Sequence, residues 1–193
     1  MKKTIIAFVT LLILSSCGKD ESKTNLHLTG TIKGLKKGTL YIQKIKDTSL
    51  VALDTIIMDG NSKFESYLNI ESPEMLYLFL DRGVTNSLDN NISFFAEPGK
   101  INIETSLDSY IVGAKITGSK NHDKYEEYKK INIRFRDENL DLIAAKFKAL
   151  KDNNQEAIVS INAKQDNNTK RKYLFATNFA INNKDYEIAP YIA

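Results

Sequence analysis

The chain has 193 residues, one cysteine, two histidines and no tryptophan, with 27 Lys and Arg against 24 Asp and Glu. A formal charge of +3, without a basic run interleaved with aromatics, excludes the footprint of a nucleic-acid-binding surface. His27 and His122 have no ligand-like spacing, so a zinc site would need carboxylates to complete it, and neither a metal nor a cofactor is expected.

Lys2 and Lys3 form a positive start, Ile5 to Leu14 an apolar run too short to cross a bilayer, and Ser15-Ser16 a small-residue cleavage point. Residues 1–16 therefore read as a processed signal peptide, not as fold. The order Leu14-Ser15-Ser16-Cys17 resembles the lipobox of bacterial lipoproteins. That resemblance implies a diacylglycerol on the Cys17 sulfur and an acylated amine, hence a membrane partner and an outer-membrane location in the cell envelope, facing the periplasm or exposed at the surface. Each buried CH₂ of acyl chain is worth about 0.8 kcal/mol, so several chains anchor stably. Processing removes Lys2 and Lys3 and lowers the formal charge to +1; acylation consumes the only thiol, which excludes thiol chemistry within this chain. Residues 17–25 are polar and read as a solvated tether. Within them Lys19-Asp20-Glu21 resembles the surface-export signal of Bacteroidota lipoproteins, which would put the domain outside the cell.

All nine glycines lie at or before Gly118, which sets a boundary between a β domain at 26–118 and a helical segment at 119–193. Leu26, Leu28, Gly30 and Ile32 alternate with polar residues, as a strand with one buried face requires. Gly34 to Gly38 turns the chain into Leu40-Tyr41-Ile42. Val51 to Met58 and Lys63 to Ile70 flank Asp59-Gly60 and are predicted to form a hairpin. Met75 to Leu80 is apolar on both faces and reads as a central strand covered on two sides. Ile92 to Ala96 and Ile101 to Thr105 flank Glu97-Pro98-Gly99-Lys100 as a second predicted hairpin, and Tyr110 to Thr117 completes about eight strands. The fold class is α+β: an antiparallel β-sandwich or open barrel followed by helices.

Asn121 is the predicted cap of a helix whose Tyr125, Tyr128, Ile131 and Phe135 recur at helical steps and continue to Leu150, with a break near Asp137. A second helix around Ile158 and Ile161 and a third from Tyr173 to Ala180 are separated by an Asp166-Asn167-Asn168 loop, and another helix starts at Tyr186. The chain ends on Pro190-Tyr191-Ile192-Ala193, apolar residues that suggest either a shortened gene product or a chain cut before a further domain.

No residue set identifies a reaction, so no catalytic residue is expected. Gly118-Ser119 lacks the Gly-x-Ser-x-Gly turn of a serine nucleophile and reads as a strand end leading into a helix cap. Asp54 and Asp59-Gly60 lack the alternate acids of a calcium loop. Both histidines read as exposed. Tyr125, Tyr128 and Phe135 are expected to pack on the sheet, and Phe94-Phe95 to put one ring in the core and the other under the helices.

Leu28-Thr29-Gly30-Thr31-Ile32, Leu53-Asp54-Thr55 with Lys63-Phe64, Phe94-Phe95-Ala96-Glu97-Pro98-Gly99, Ile116-Thr117-Gly118-Ser119 and Tyr186-Glu187-Ile188-Ala189-Pro190-Tyr191 stand out together. In them the chain resembles the domain of unknown function that precedes a thioredoxin-like domain in Bacteroidota lipoproteins. The Cys-x-x-Cys of that second domain has no counterpart here, so its redox function transfers to no residue of this chain. Three roles follow as expectations: a non-enzymatic binding or spacing module with a protein partner in the envelope, an accessory domain of a thiol:disulfide oxidoreductase, or a nutrient- or glycan-capturing lipoprotein. The oligomeric state is left open.

Overall fold

The computed structural model describes residues 24–83 and 90–193. Eight strands run in order: β1 (Leu26–Lys33), β2 (Lys37–Lys46), β3 (Ser49–Asp59), β4 (Lys63–Leu68), β5 (Glu74–Asp81), β6 (Asn91–Ala96), β7 (Gly99–Ser106) and β8 (Lys115–Thr117). They form two four-stranded sheets, β4-β1-β7-β8 and β3-β2-β5-β6, packed as an open sandwich. The alternation read in β1 is the cause: Leu26, Leu28 and Ile32 face inward with Ile101 and Ile103 of β7, against Leu40, Ile42, Leu76, Leu78, Leu80 and Phe94 of the other sheet, all essentially without solvent contact. Burying each such side chain contributes about 1.5–3 kcal/mol.

Both predicted hairpins are corrected. Asp59-Gly60 carries the chain from β3 in one sheet to β4 in the other, and Glu97-Pro98 carries it from β6 to β7 across the sandwich. The actual tight hairpin joins β2 to β3 at Asp47, whose φ of 57° is the left-handed conformation Asp tolerates. One pair also departs from the antiparallel expectation, since β1 and β7 run parallel from Leu26↔Gly99 to Lys33↔Ser106. The strand expected from Tyr110 shrinks to Lys115–Thr117, because Tyr110 turns inward and donates its hydroxyl to the Leu78 carbonyl at 3.1 Å.

Gly118 links β8 to the helices at φ +96°, and a Cβ there would meet the Lys100 carbonyl oxygen. Two penalties coincide at this residue, a left-handed backbone and a close approach to main chain. Gly118→Ala is expected to cost about 3 kcal/mol in a urea melt.

Helix α1 (Lys120–Lys151) is one unbroken helix, α2 (Gln155–Asn182) another, and α3 (Ile188–Ile192) a short third. The predicted break at Asp137 and the predicted loop at Asp166-Asn167-Asn168 are therefore both corrected. Asp137 stays on the exposed side and pairs with Arg136, while Asn168 is buried and donates to the Phe135 carbonyl across the α1/α2 seam at 2.8 Å. Tertiary packing overrides the low helix propensity of these residues. Tyr128 and Phe135 pack on α2, not on the sheet: Tyr128 stacks on Phe175 at 5.6 Å, and Phe135 lies 5.9 Å from the same ring.

The α1 helix begins beside the end of β6 and runs back along that strand, from Phe95 at His122 to Ser93 and Ile92 at Lys129 and Ile133. It therefore leaves the sandwich at the end opposite to Asn25, whose carbonyl accepts from Gly99 N–H at 2.8 Å. Past Ile133 α1 continues for 18 more residues, about 27 Å of helix at about 1.5 Å per residue.

Candidate functional site

Helix α1 is fixed to the sandwich by its first turn. Ser119, not Asn121, is the cap: its hydroxyl accepts from His122 N–H at 2.9 Å and donates to the Phe95 carbonyl at 2.8 Å. His122 Nδ1 accepts the Phe95 N–H at 3.2 Å, so both main-chain groups of this edge residue of β6 are satisfied by the helix. The accepting Nδ1 places the ring proton on Nε2, which faces Glu126 Oε1 at 3.2 Å. Glu126 also pairs with Lys129. The His122 hydrogen bond above all, then Lys129, outweigh burial and hold the Glu126 carboxyl down to about 2.

Asn121 is released from capping to join three elements. Its Nδ2 donates to Glu97 Oε2 at 2.7 Å and to Glu187 Oε2 at 3.2 Å, and its Oδ1 accepts the N–H of Ile188 at 3.0 Å. Burial raises the Glu97 pKa, but the Asn121 side chain and the N–H groups of Lys120 and Asn121 outweigh it, so the carboxyl titrates below its usual range. Around this node Met75, Phe95 and Ile188 form a second buried cluster, bordered by Tyr77, Tyr125, Tyr186 and Ile192. The second face of β5 and the outer ring of Phe94-Phe95 are thus covered by helix at this end, as the sequence implies.

Beyond the node α1 carries two parallel stripes. Tyr128, Phe135, Leu142 and Ala149, seven apart, lie toward α2. One residue further on, Lys129, Ile133, Arg136, Leu140, Ile143, Phe147 and Leu150 alternate steps of four and three, which is again one helix face. Nothing among the described residues covers it: Ile133, Leu140, Phe147 and Leu150 are 43, 55, 69 and 50 % exposed. Three clefts follow this face in order. One of about 270 Å³ lies against Ile111, Val112 and Ile116 of the sandwich, one of about 210 Å³ at Arg136 and Tyr173, and one of about 250 Å³ at Ile143, Phe147 and Leu150.

Other sequence candidates fall elsewhere. Cys17, Lys19, Asp20 and Glu21 lie outside the described residues. His27 sits on the outer sheet face, stacked on Tyr67 at 4.4 Å and paired with Glu65. His122 is a correction, being 1 % exposed where an exposed side chain is expected. The two histidines serve separate glutamates. Asp54 accepts from the Ser66 hydroxyl across the sandwich corner. Among the described residues no group of three His, Cys, Asp or Glu is placed to hold a metal ion, and no helix is long and apolar enough to cross a membrane. The Glu97–Asn121–Glu187 node is missed by sequence reasoning, since no spacing links those positions; the second stripe is legible in principle, as a heptad offset by one from the first.

Residues 26–125 match the family model described as domain of unknown function DUF4369. The match takes in the Leu28–Ile32, Phe94–Gly99 and Ile116–Ser119 elements and stops in the first turns of α1, short of Tyr186–Tyr191. No curated protein matches the chain.

Proposed function

The chain belongs to the DUF4369 family, and from that premise we propose a lipid-anchored, non-enzymatic protein of the cell envelope whose sandwich mounts a helical hairpin that engages a protein partner, without cofactor or nucleic acid. The uncovered heptad face of α1, with its three clefts, is the observation that carries the binding role. Anchoring rests on Leu14-Ser15-Ser16-Cys17, and display at the surface of an outer membrane on Lys19-Asp20-Glu21. Mass spectrometry of native protein extracted in detergent tests the anchor. The expected N-terminal peptide begins at Cys17 with diacylglycerol on sulfur, and Cys17→Ser moves the protein to the soluble fraction; a free Cys17 thiol on mature protein overturns it. A second reading, an accessory domain beside a thioredoxin-like oxidoreductase, draws support from Phe94–Gly99 and Ile116–Ser119, the elements that the resemblance and the family match share.

A further inference from the structure

The binding role proposed above leaves the partner open, and the inference drawn here rests on that reading. We propose that the uncovered face of α1 takes an amphipathic helix with acidic flanks, supplied by another protein.

The period argues for a helix. A face repeating every 3.5 residues on average matches the ridge spacing of a second helix packed at a shallow angle. In this molecule α2 already fills a stripe of the same period one residue away on α1. A helix bearing two adjacent heptad stripes is built for a bundle of three or more, and among the described residues two helices run along this stretch. The clefts at Tyr173 and Phe147 lie between α1 and α2, where side chains of a third helix would seat. At the sandwich end Val112, 94 % exposed, extends the apolar wall.

Charge selects the kind of helix. Between Lys129 and Lys172 the hairpin carries eight Lys and three Arg against six Asp and Glu, a net charge of +5. A second copy would bring the same surplus of positive charge to the contact, which disfavours self-pairing. An anionic membrane would satisfy the charge but, being broad and fluid, has no use for clefts spaced along a helix. An acidic helix satisfies charge, period and clefts together.

The test uses the full chain and a fluorescein-labelled synthetic peptide of about three heptads with Leu at the two core positions and Glu flanking them. Fluorescence anisotropy is expected to show saturable binding that weakens at least about tenfold when Lys replaces the flanking Glu, and by as much in Leu140→Asp/Phe147→Asp. Both replaced side chains are more than half exposed, so the double variant is expected to keep its melting temperature, which circular dichroism checks. Three results overturn the proposal: no saturable binding up to about 100 µM, equal binding by the double variant, or indifference to the sign of the flanking charge. Two parallel measurements separate this failure from that of the binding role. Sedimentation of vesicles of phosphatidylcholine with one-third phosphatidylglycerol, or self-association by analytical ultracentrifugation, lost in the same variant would show a working face with a different occupant. No response of any probe to the variant would remove the face as a binding surface altogether.

Discussion

Asn121→Ala is expected to lower stability by about 3 kcal/mol and to loosen the helices before the sandwich. The side chain is 4 % exposed and makes three hydrogen bonds, two of them to carboxylates. Its loss strands the Ile188 N–H, which has no other acceptor among the described residues and lies where the residue has no solvent contact. A buried unsatisfied donor costs about 1–3 kcal/mol, and a lost bond to a charged group about as much. It also removes the amide that separates Glu97 from Glu187, leaving two carboxylates facing one another. Asn121→Asp, of the same size, is expected to be worse at neutral pH and to recover on acidification, because protonating one carboxyl of the three relieves the repulsion. Urea melts between pH 7 and pH 4 read the difference, and hydrogen exchange at the Ile188 amide localises it. A variant with unchanged exchange at that amide would show that the node holds nothing.

The second large effect divides two adjacent rings. Phe94 sits in the sandwich core with no exposure, and Phe95, 2 % exposed, sits under α3. Phe94→Ala is expected to cost about 3–5 kcal/mol of global stability, the usual penalty for emptying a packed aromatic site. Phe95→Ala removes a comparable volume but opens the seam between sheet and helix, where Met75, Ile188 and the edge of Tyr191, 6.0 Å away, are its neighbours. Its signature should be local: amide protection lost from Ile188 to Ile192 while Leu28 and Ile103 keep theirs. Equal loss of protection in both regions would mean that sandwich and helices unfold as one unit.

How much of this was legible in the residues follows from which interactions are local. Alternation in β1 and β5 identifies the inward residues, because a strand's period of two is imposed by its own backbone. Pairing is another matter. Asp59-Gly60 and Glu97-Pro98 have the chemistry of a turn whether the next strand returns to the same sheet or crosses to the facing one, and only the hydrophobic core decides between these outcomes. The parallel β1/β7 pair joins positions 73 residues apart, beyond any turn signal. In the helices, Asp137 and Asp166-Asn167-Asn168 have the composition of a break, yet the aromatic seam of Tyr128, Phe135 and Phe175 holds the helical conformation through them. Asn121 has the composition of a cap, and the hydroxyl two residues earlier takes that role because Ser119 lies against β6. The uncovered stripe was within reach, since its steps of four and three stand in the sequence beside those of the covered one.

The opposite placement of Asn25 and the hairpin tip sets a lever arm. Whatever holds the chain ahead of Asn25 and whatever touches Phe147 are kept apart by the path of α1 along β6 and by the helical turns that follow Ile133. Force applied at the tip reaches the sandwich through the first turn of α1, held to Phe95 by Ser119 and His122, and through α3, tied in by Asn121. Ser119, Asn121 and His122, three side chains at one helix start, thus form the fulcrum of the outreach.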